Sequence, residues 1–207
     1  GTPFDQRYAE RRAIYLRHER SALLQALEEV EKGAAIEDLA QRPNITIDTT
    51  QTFFHTEKRD YVIIDAPGHK EYLRNMITGA SLASAAIIML DVSRGIEEQT
   101  TRHSFILKLL GVEQIIVAVN KMDLVDYQED SYRKAGSAIS AFLEKVGLKA
   151  SHIIPISAFL GENVARRSGA MSWYKGKTIL EALDSFQAPE SENKKPMRFA
   201  VQDVYDI

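Results

Sequence analysis

The chain has 207 residues, a formal charge of −3 and 44% hydrophobic residues, which is enough for one domain with a buried core and the beginning of another. Charged residues make up 27% with both signs mixed, so bulk electrostatics favours neither a nucleic acid nor an anionic membrane as partner. Cysteine is absent, which excludes disulfides, thiolate metal sites and cysteine nucleophiles; with no apolar run near the roughly 20 residues of a membrane span and no signal pattern in residues 1–7, a cytoplasmic protein is expected.

From about Tyr8 to Lys32 the sequence is charged, leucine-rich and free of proline, and Ile14, Leu16, Leu23, Leu24, Leu27 and Val30 can line one helical face, so the spacing predicts a helix stopped at Gly33. Arg42-Pro43-Asn44 then reads as a loop. Thr49–His55 and Asp60–Asp65 read as strands of an antiparallel hairpin turned by Thr56-Glu57-Lys58-Arg59. After them come short, nearly continuous apolar runs at 85–90, 115–119 and 152–156, as expected of strands covered on both faces. Helical stretches separate them at Lys70–Met76, Gln99–Leu110 and Ser131–Val146, and a further helix is predicted over Thr178–Phe186. Alternating strands and helices specify an α/β fold with a mostly parallel sheet and crossover helices. Residues 1–187 form this domain, 188–196 a linker and 197–207 the start of a following unit.

Four segments carry chemistry. Asn120-Lys121-Met122-Asp123 directly follows a buried strand, and in doubly wound sheets ligands collect at the carboxyl ends of strands. A carboxylate at Asp123 can accept hydrogen bonds from guanine's ring N–H and exocyclic amino group, where adenine offers a repelling acceptor. Ser157-Ala158-Phe159 also follows an apolar strand, and its small residues let backbone N–H groups approach a base edge. Asp65-Ala66-Pro67-Gly68-His69 combines an aspartate that can support hydrated Mg²⁺, a glycine whose N–H can meet a terminal phosphate and a histidine that can orient water, which are the needs of phosphoryl transfer. In Asn44-Ile45-Thr46-Ile47-Asp48, the Thr46 hydroxyl can join the same Mg²⁺. Each segment alone has an ordinary reading as a turn, a loop histidine or a β-forming threonine.

In this order the four segments resemble the GTPase domain of translation-factor-type proteins, of the three-layer P-loop NTPase type. Within that superfamily, Arg74-Asn75-Met76, Gln99-Thr100-Thr101-Arg102-His103-Ser104, Leu109-Leu110-Gly111-Val112, Lys121-Met122-Asp123-Leu124-Val125-Asp126-Tyr127, Gly161-Glu162-Asn163-Val164 and Trp173-Tyr174 look like the GTP-binding large subunit of bacterial ATP sulfurylase. The similarity runs from about Ile45 to Tyr205. It implies GTP and Mg²⁺ as cofactors and a catalytic small subunit of sulfate adenylyltransferase as partner. By the same resemblance, Asn120 and Asp123 read guanine, Lys121 covers the base plane, and Ser157 with Ala158 brings a backbone N–H to the base. Pro67 and Gly68 belong to the nucleotide site, Thr46 and Asp65 serve Mg²⁺, and His69 positions water. An elongation factor 1-alpha-like protein delivering aminoacyl-tRNA, and a pseudo-GTPase acting only as an interaction module, are the alternatives.

The sequence also departs from the family pattern. Gly-x-x-x-x-Gly-Lys-Ser/Thr, whose backbone N–H groups and lysine neutralise phosphates, is missing, and with it the first strand that it ends. Gly176-Lys177-Thr178 is a decoy: it follows the guanine segment and reads as a tight turn before a helix. Two readings of the gap remain open, a piece of a longer protein or a degenerate member that no longer binds nucleotide. Asn44 stands where the family usually has glycine. The expectation is that residues 1–207 alone bind GTP weakly or not at all.

Overall fold

A computed structural model describes residues 12–17, 50–56, 58–66, 77 and 83–187; for 12–17, 50–53, 55, 65 and 66 it describes the backbone. The strands are β1 (Arg12–Arg17), β2 (Thr50–His55), β3 (Asp60–Ala66), β4 (Ala85–Asp91), β5 (Ile115–Asn120) and β6 (His152–Pro155). The helices are α1 (Glu98–Leu109), α2 (Glu129–Val146) and α3 (Ile179–Asp184). The six strands form one sheet in the order β2-β3-β1-β4-β5-β6. Only β2 runs antiparallel, as the hairpin partner of β3.

The hairpin and the buried strands follow the expected pattern. Phe54 lies opposite Tyr61, and their rings stack with centroids 4.8 Å apart. The turn closes when Thr56 N–H donates to the Arg59 carbonyl at 2.8 Å. Along β4, Ala85, Ile87 and Met89 face one core while Ala86, Ile88 and Leu90 face the other; β5 divides likewise into Ile116 and Ala118 against Ile115, Val117 and Val119. Helix α3 covers the first face with Ile179, Ala182 and Leu183, and α1 and α2 cover the second with Leu107, Ala135, Ile139 and Leu143. Each fully buried isoleucine contributes about 1.5–3 kcal/mol, so continuous apolar strands sandwiched between helices are the main stabilising feature.

The helices start and stop where local chemistry directs. In α2, Ala135, Ile139 and Leu143 recur at four-residue spacing on the buried face. The helix ends at Gly147, whose φ of 78° is accessible to glycine, and Leu148 N–H returns to the Leu143 carbonyl at 2.8 Å. Thr178 caps α3: its hydroxyl accepts from Glu181 N–H at 3.2 Å while the Glu181 carboxylate accepts from Thr178 N–H at 2.9 Å. Gly176-Lys177-Thr178 is therefore the turn into a helix that its context suggested. A Cβ at Gly176 would stand 2.3 Å from the Tyr174 hydroxyl oxygen, so a larger residue there would require the Tyr174 ring to shift.

At the N-terminal end the structure corrects the sequence reading. Residues 12–17 form a strand where a helix was expected, and 18–32 lie outside the described residues. This strand pairs in parallel with β3 along its whole length and with β4 through Ile14, Tyr15 and Leu16, so the slot expected to lack its first strand is filled. The physical reason is tertiary. Arg-Ala-Ile-Tyr-Leu-Arg suits a short strand as well as a helix turn, and two waiting ladders outweigh a weak helical preference. The helix predicted at 70–76, the linker at 188–196 and the unit at 197–207 lie outside the described residues. No described helix is long and apolar enough to cross a membrane.

Candidate functional site

Because β3, β1, β4, β5 and β6 are parallel, their carboxyl ends share one edge of the sheet. That edge gathers Asp65 at the end of β3, Asp91 at the end of β4, Asn120 at the end of β5, and Ser157 and Ala158 just beyond β6. Here strand termini leave backbone groups pointing outward, and ligands of open α/β sheets bind.

Asn120 is 4% exposed, and its side-chain oxygen accepts the Ala158 N–H at 2.9 Å. It thereby stitches the loop after β5 to the loop after β6. Ala158 was expected to offer this N–H to a base; in the structure it is engaged by Asn120, so a ligand carbonyl would share or displace that bond. Two backbone bonds reinforce the stitch, Met122 N–H to the Ile156 carbonyl at 3.2 Å and Ile156 N–H to the Val119 carbonyl at 2.8 Å.

Lys121 turns the chain with a left-handed φ of 66° and starts a 3-10 turn over Met122–Val125 that buries Met122 and presents Asp123. One Asp123 oxygen accepts the Ser157 hydroxyl at 2.5 Å. The other has no partner among the described residues. Ser157 is itself fully buried, and its oxygen also accepts Leu160 N–H at 3.3 Å, so Asp123 is held by a fixed donor. A carboxylate oriented in this way, half-exposed and with an oxygen to spare, is suited to a planar N–H pair. Phe159 and Leu160 at the tip of the loop are 67% and 45% exposed.

Two residues that sequence reasoning gave no role prove structural to the site. Asp91 receives the Lys121 ammonium at 3.0 Å on one oxygen and the Ser93 N–H and hydroxyl, at 2.8 and 2.6 Å, on the other. Burial, the largest single influence, pushes its carboxyl up, but the hydrogen bonds from Ser93 and Lys121 together outweigh it and hold the pKa at about 2. Asn163, 2% exposed and at a left-handed φ of 57°, donates to the Pro155 carbonyl at 2.9 Å and accepts the Ser168 N–H at 2.8 Å, fixing the end of β6 under the site. The only sequence signal for Asp91 was an acid closing an apolar strand ahead of serine, and for Asn163 its place in the family-like Gly161–Val164 segment.

The structure thus brings Asn120, Lys121, Asp123, Ser157 and Ala158 together. Thr46, Pro67, Gly68 and His69 lie outside the described residues. Asp65 is placed by its backbone, paired with Leu16 and Thr50. Among the described residues no group of three or more acidic or histidine side chains could hold a metal. The described part therefore holds the residues expected to read a base, while of those expected to hold phosphate and Mg²⁺ it describes the Asp65 backbone.

Sheet order, helices on both faces and the tied loops after β5 and β6 at the carboxyl edge define an α/β domain of the nucleotide-binding type. The chain belongs to the elongation factor Tu GTP binding domain family, whose model matches residues 13–189. It is 46% identical over 165 residues to an elongation factor 1-alpha of Methanopyrus kandleri, covering 79% of this chain and 39% of that protein. It is 48% identical over 160 residues to a sulfate adenylyltransferase subunit 1 of a Sulfurovum species, covering 77% of this chain and 33% of that protein. Among solved structures it resembles the elongation factor SelB of Methanococcus maripaludis bound to a GTP analogue, with a TM-score of 0.58 and 25% identity over 73% of this chain and 30% of that one. The chain thus spans 33–40% of the length of such curated relatives.

Proposed function

We propose that this chain is a guanine-nucleotide-reading GTPase domain, and that it acts as the GTP-binding regulatory subunit of a sulfate adenylyltransferase. The observation that carries the guanine reading is Asp123, half-exposed at the sheet edge and oriented by the buried Ser157 hydroxyl at 2.5 Å. Asn120 joins the two base loops, Lys121 flanks the base plane, and the Ala158 N–H reaches the base edge by sharing or giving up its bond to Asn120. In this reading Thr46 and Asp65 serve Mg²⁺, which neutralises developing phosphate charge when bound; Pro67 and Gly68 border the terminal phosphate, and His69 orients the attacking water. Ordering of the Thr46 and Gly68 segments by GTP would bias a partner that carries the sulfur chemistry.

The likeness to the Sulfurovum protein supports the finer assignment. Elongation factor 1-alpha relatives, at 45–46% identity over comparable lengths, favour a second reading as a translation GTPase. For the guanine reading, amide resonances of the chain are followed during titration with GDP and with ADP. Because weak binding is expected of residues 1–207 alone, GDP-specific shifts at Met122 and Ala158 are expected at roughly millimolar nucleotide, and equal shifts with the two nucleotides defeat the reading. For the finer assignment, adenylyl sulfate formation is assayed with the small catalytic subunit, with and without GTP. GTP stimulation is expected; indifference to GTP together with tight aminoacyl-tRNA binding would move the chain to the translation reading.

A further inference from the structure

Lys121 and Asp91 form a contact that base recognition by itself does not require. Asp91 closes β4, Lys121 follows β5, and their charged ends meet at 3.0 Å across the two neighbouring loops. The carboxylate is 10% exposed and cannot swing freely: one oxygen takes the Ser93 N–H at 2.8 Å, the Ser93 hydroxyl at 2.6 Å and the Arg94 N–H at 3.3 Å, which directs the other toward Lys121. Arg94 is a distant competitor, 3.9 Å away and 69% exposed. The backbone adds a tie, Val92 N–H to the Asn120 carbonyl at 3.0 Å.

We propose that Asp91 is a positioning residue of the guanine site, holding the Lys121 side chain against the loop so that its stem is in place before a base arrives. The inference rests on the guanine reading above. A lysine side chain has much rotamer freedom to lose on ordering, and a partner anchored by three hydrogen bonds removes part of that freedom in advance. Ligand binding then bears less of the ordering cost, which raises affinity with no new contact to the ligand. An isolated surface ion pair would do little. This one differs in that its anion is only 10% exposed, already bonded to Ser93 and Arg94, and on the adjacent strand of the ligand edge.

The test is a double-mutant cycle on the full chain with GDP as probe. Asp91→Asn keeps an oxygen for Ser93 and Arg94 but removes the charge facing Lys121. It is expected to weaken GDP binding about three- to tenfold, as is Lys121→Met, and the double variant is expected to bind no worse than Lys121→Met alone. Lys121→Arg, which keeps the charge and the reach, is expected to restore most of the affinity. Preference for GDP over IDP, which lacks the exocyclic amino group read by Asp123, stays unchanged throughout. Additive losses, an Asp91→Asn variant that binds like the parent, or failure of Lys121→Arg to rescue overturns the inference while leaving the guanine reading intact. A parent chain that does not distinguish GDP from ADP overturns both.

Discussion

Asp123 and Asp91 stand on the same sheet edge, and their hydrogen-bond partners separate them. Asp91 has both oxygens engaged within the protein, whereas Asp123 spends one on Ser157. Replacing Asp123 with asparagine exchanges an acceptor for a donor. Guanine's amino group then meets N–H, while xanthine, which carries a carbonyl there, finds a partner. GDP binding should fall on the order of 10- to 100-fold and XDP should compete better than GDP, read by competitive titration. Asp91 predicts an acid response instead. Its folded pKa, about 2, is depressed from the ordinary 3.8, so its stabilisation is fully present above about pH 4 and is lost as pH falls toward 2. Burial lowers the pKa of His152, which erodes stability in the same direction at higher pH, so the comparison must be with Asp91→Asn. Unfolding free energies from urea titration should separate the parent from that variant by about 1–2 kcal/mol at pH 5 and converge near pH 2. A constant separation would remove the Asp91 charge from the account. The meeting of Asn120 and Asp123 with Ser157 and Ala158 was legible in the sequence because both segments follow buried apolar strands, whose carboxyl ends share one edge of a parallel sheet. Asp91 was not, since an aspartate before serine is ordinary turn chemistry and its partner sits on another strand.

At the scale of elements, β6 is one edge strand of the sheet, and side chains cover it. The Tyr132 hydroxyl donates to the Ile153 carbonyl at 2.9 Å, Asn163 takes the Pro155 carbonyl at 2.9 Å, and Pro155 has no N–H to offer. Tyr132 is steadied by Trp173 and Tyr174, whose ring centroids lie 5.3 and 6.0 Å away. Trp173 in turn donates its indole N–H at 2.9 Å to the carbonyl of Tyr127, a residue with a left-handed φ of 56° just after the Met122–Val125 turn. The two blocks on β6 differ in cost. Tyr132→Phe removes one of two hydroxyls near the Ile153 carbonyl, the other being Tyr174 at 3.5 Å, and should cost about 1 kcal/mol. Asn163→Ala strands the Pro155 carbonyl and the Ser168 N–H in a buried place and should cost about 2–4 kcal/mol. Urea denaturation orders the two variants, and the reverse order would mean that Asn163 is not what fixes the end of β6. None of this was readable along the chain, because tyrosine and asparagine declare their partners only after the strand and helix have packed. The strands themselves were readable, since continuous apolar runs such as 115–119 have no stable place except between two layers.

The whole sheet depends on the strand that sequence reasoning read as helix. Strand β1 lies between the β2–β3 hairpin and the β4–β5–β6 half, and joins them through pairing with β3 on one side and β4 on the other. Its period was ambiguous because Ile14, Leu16 and Leu23 fit a helical stripe as easily as Ile14 and Leu16 fit one face of a strand; only the vacancy between β3 and β4 decides. Proline is a direct probe, since it cannot donate to a ladder and is tolerated at sheet edges but not in central strands. Ile14→Pro should therefore destabilise the chain by about 3 kcal/mol or more, whereas Ile14→Val, which leaves the backbone untouched, should cost about 1 kcal/mol or less. Far-UV circular dichroism and hydrogen exchange at β3 and β4 should report loss in both halves together, as one cooperative sheet requires. If Ile14→Pro unfolds at the parent's urea midpoint, residues 12–17 are not the central strand, and the sheet must close between β3 and β4 by other means.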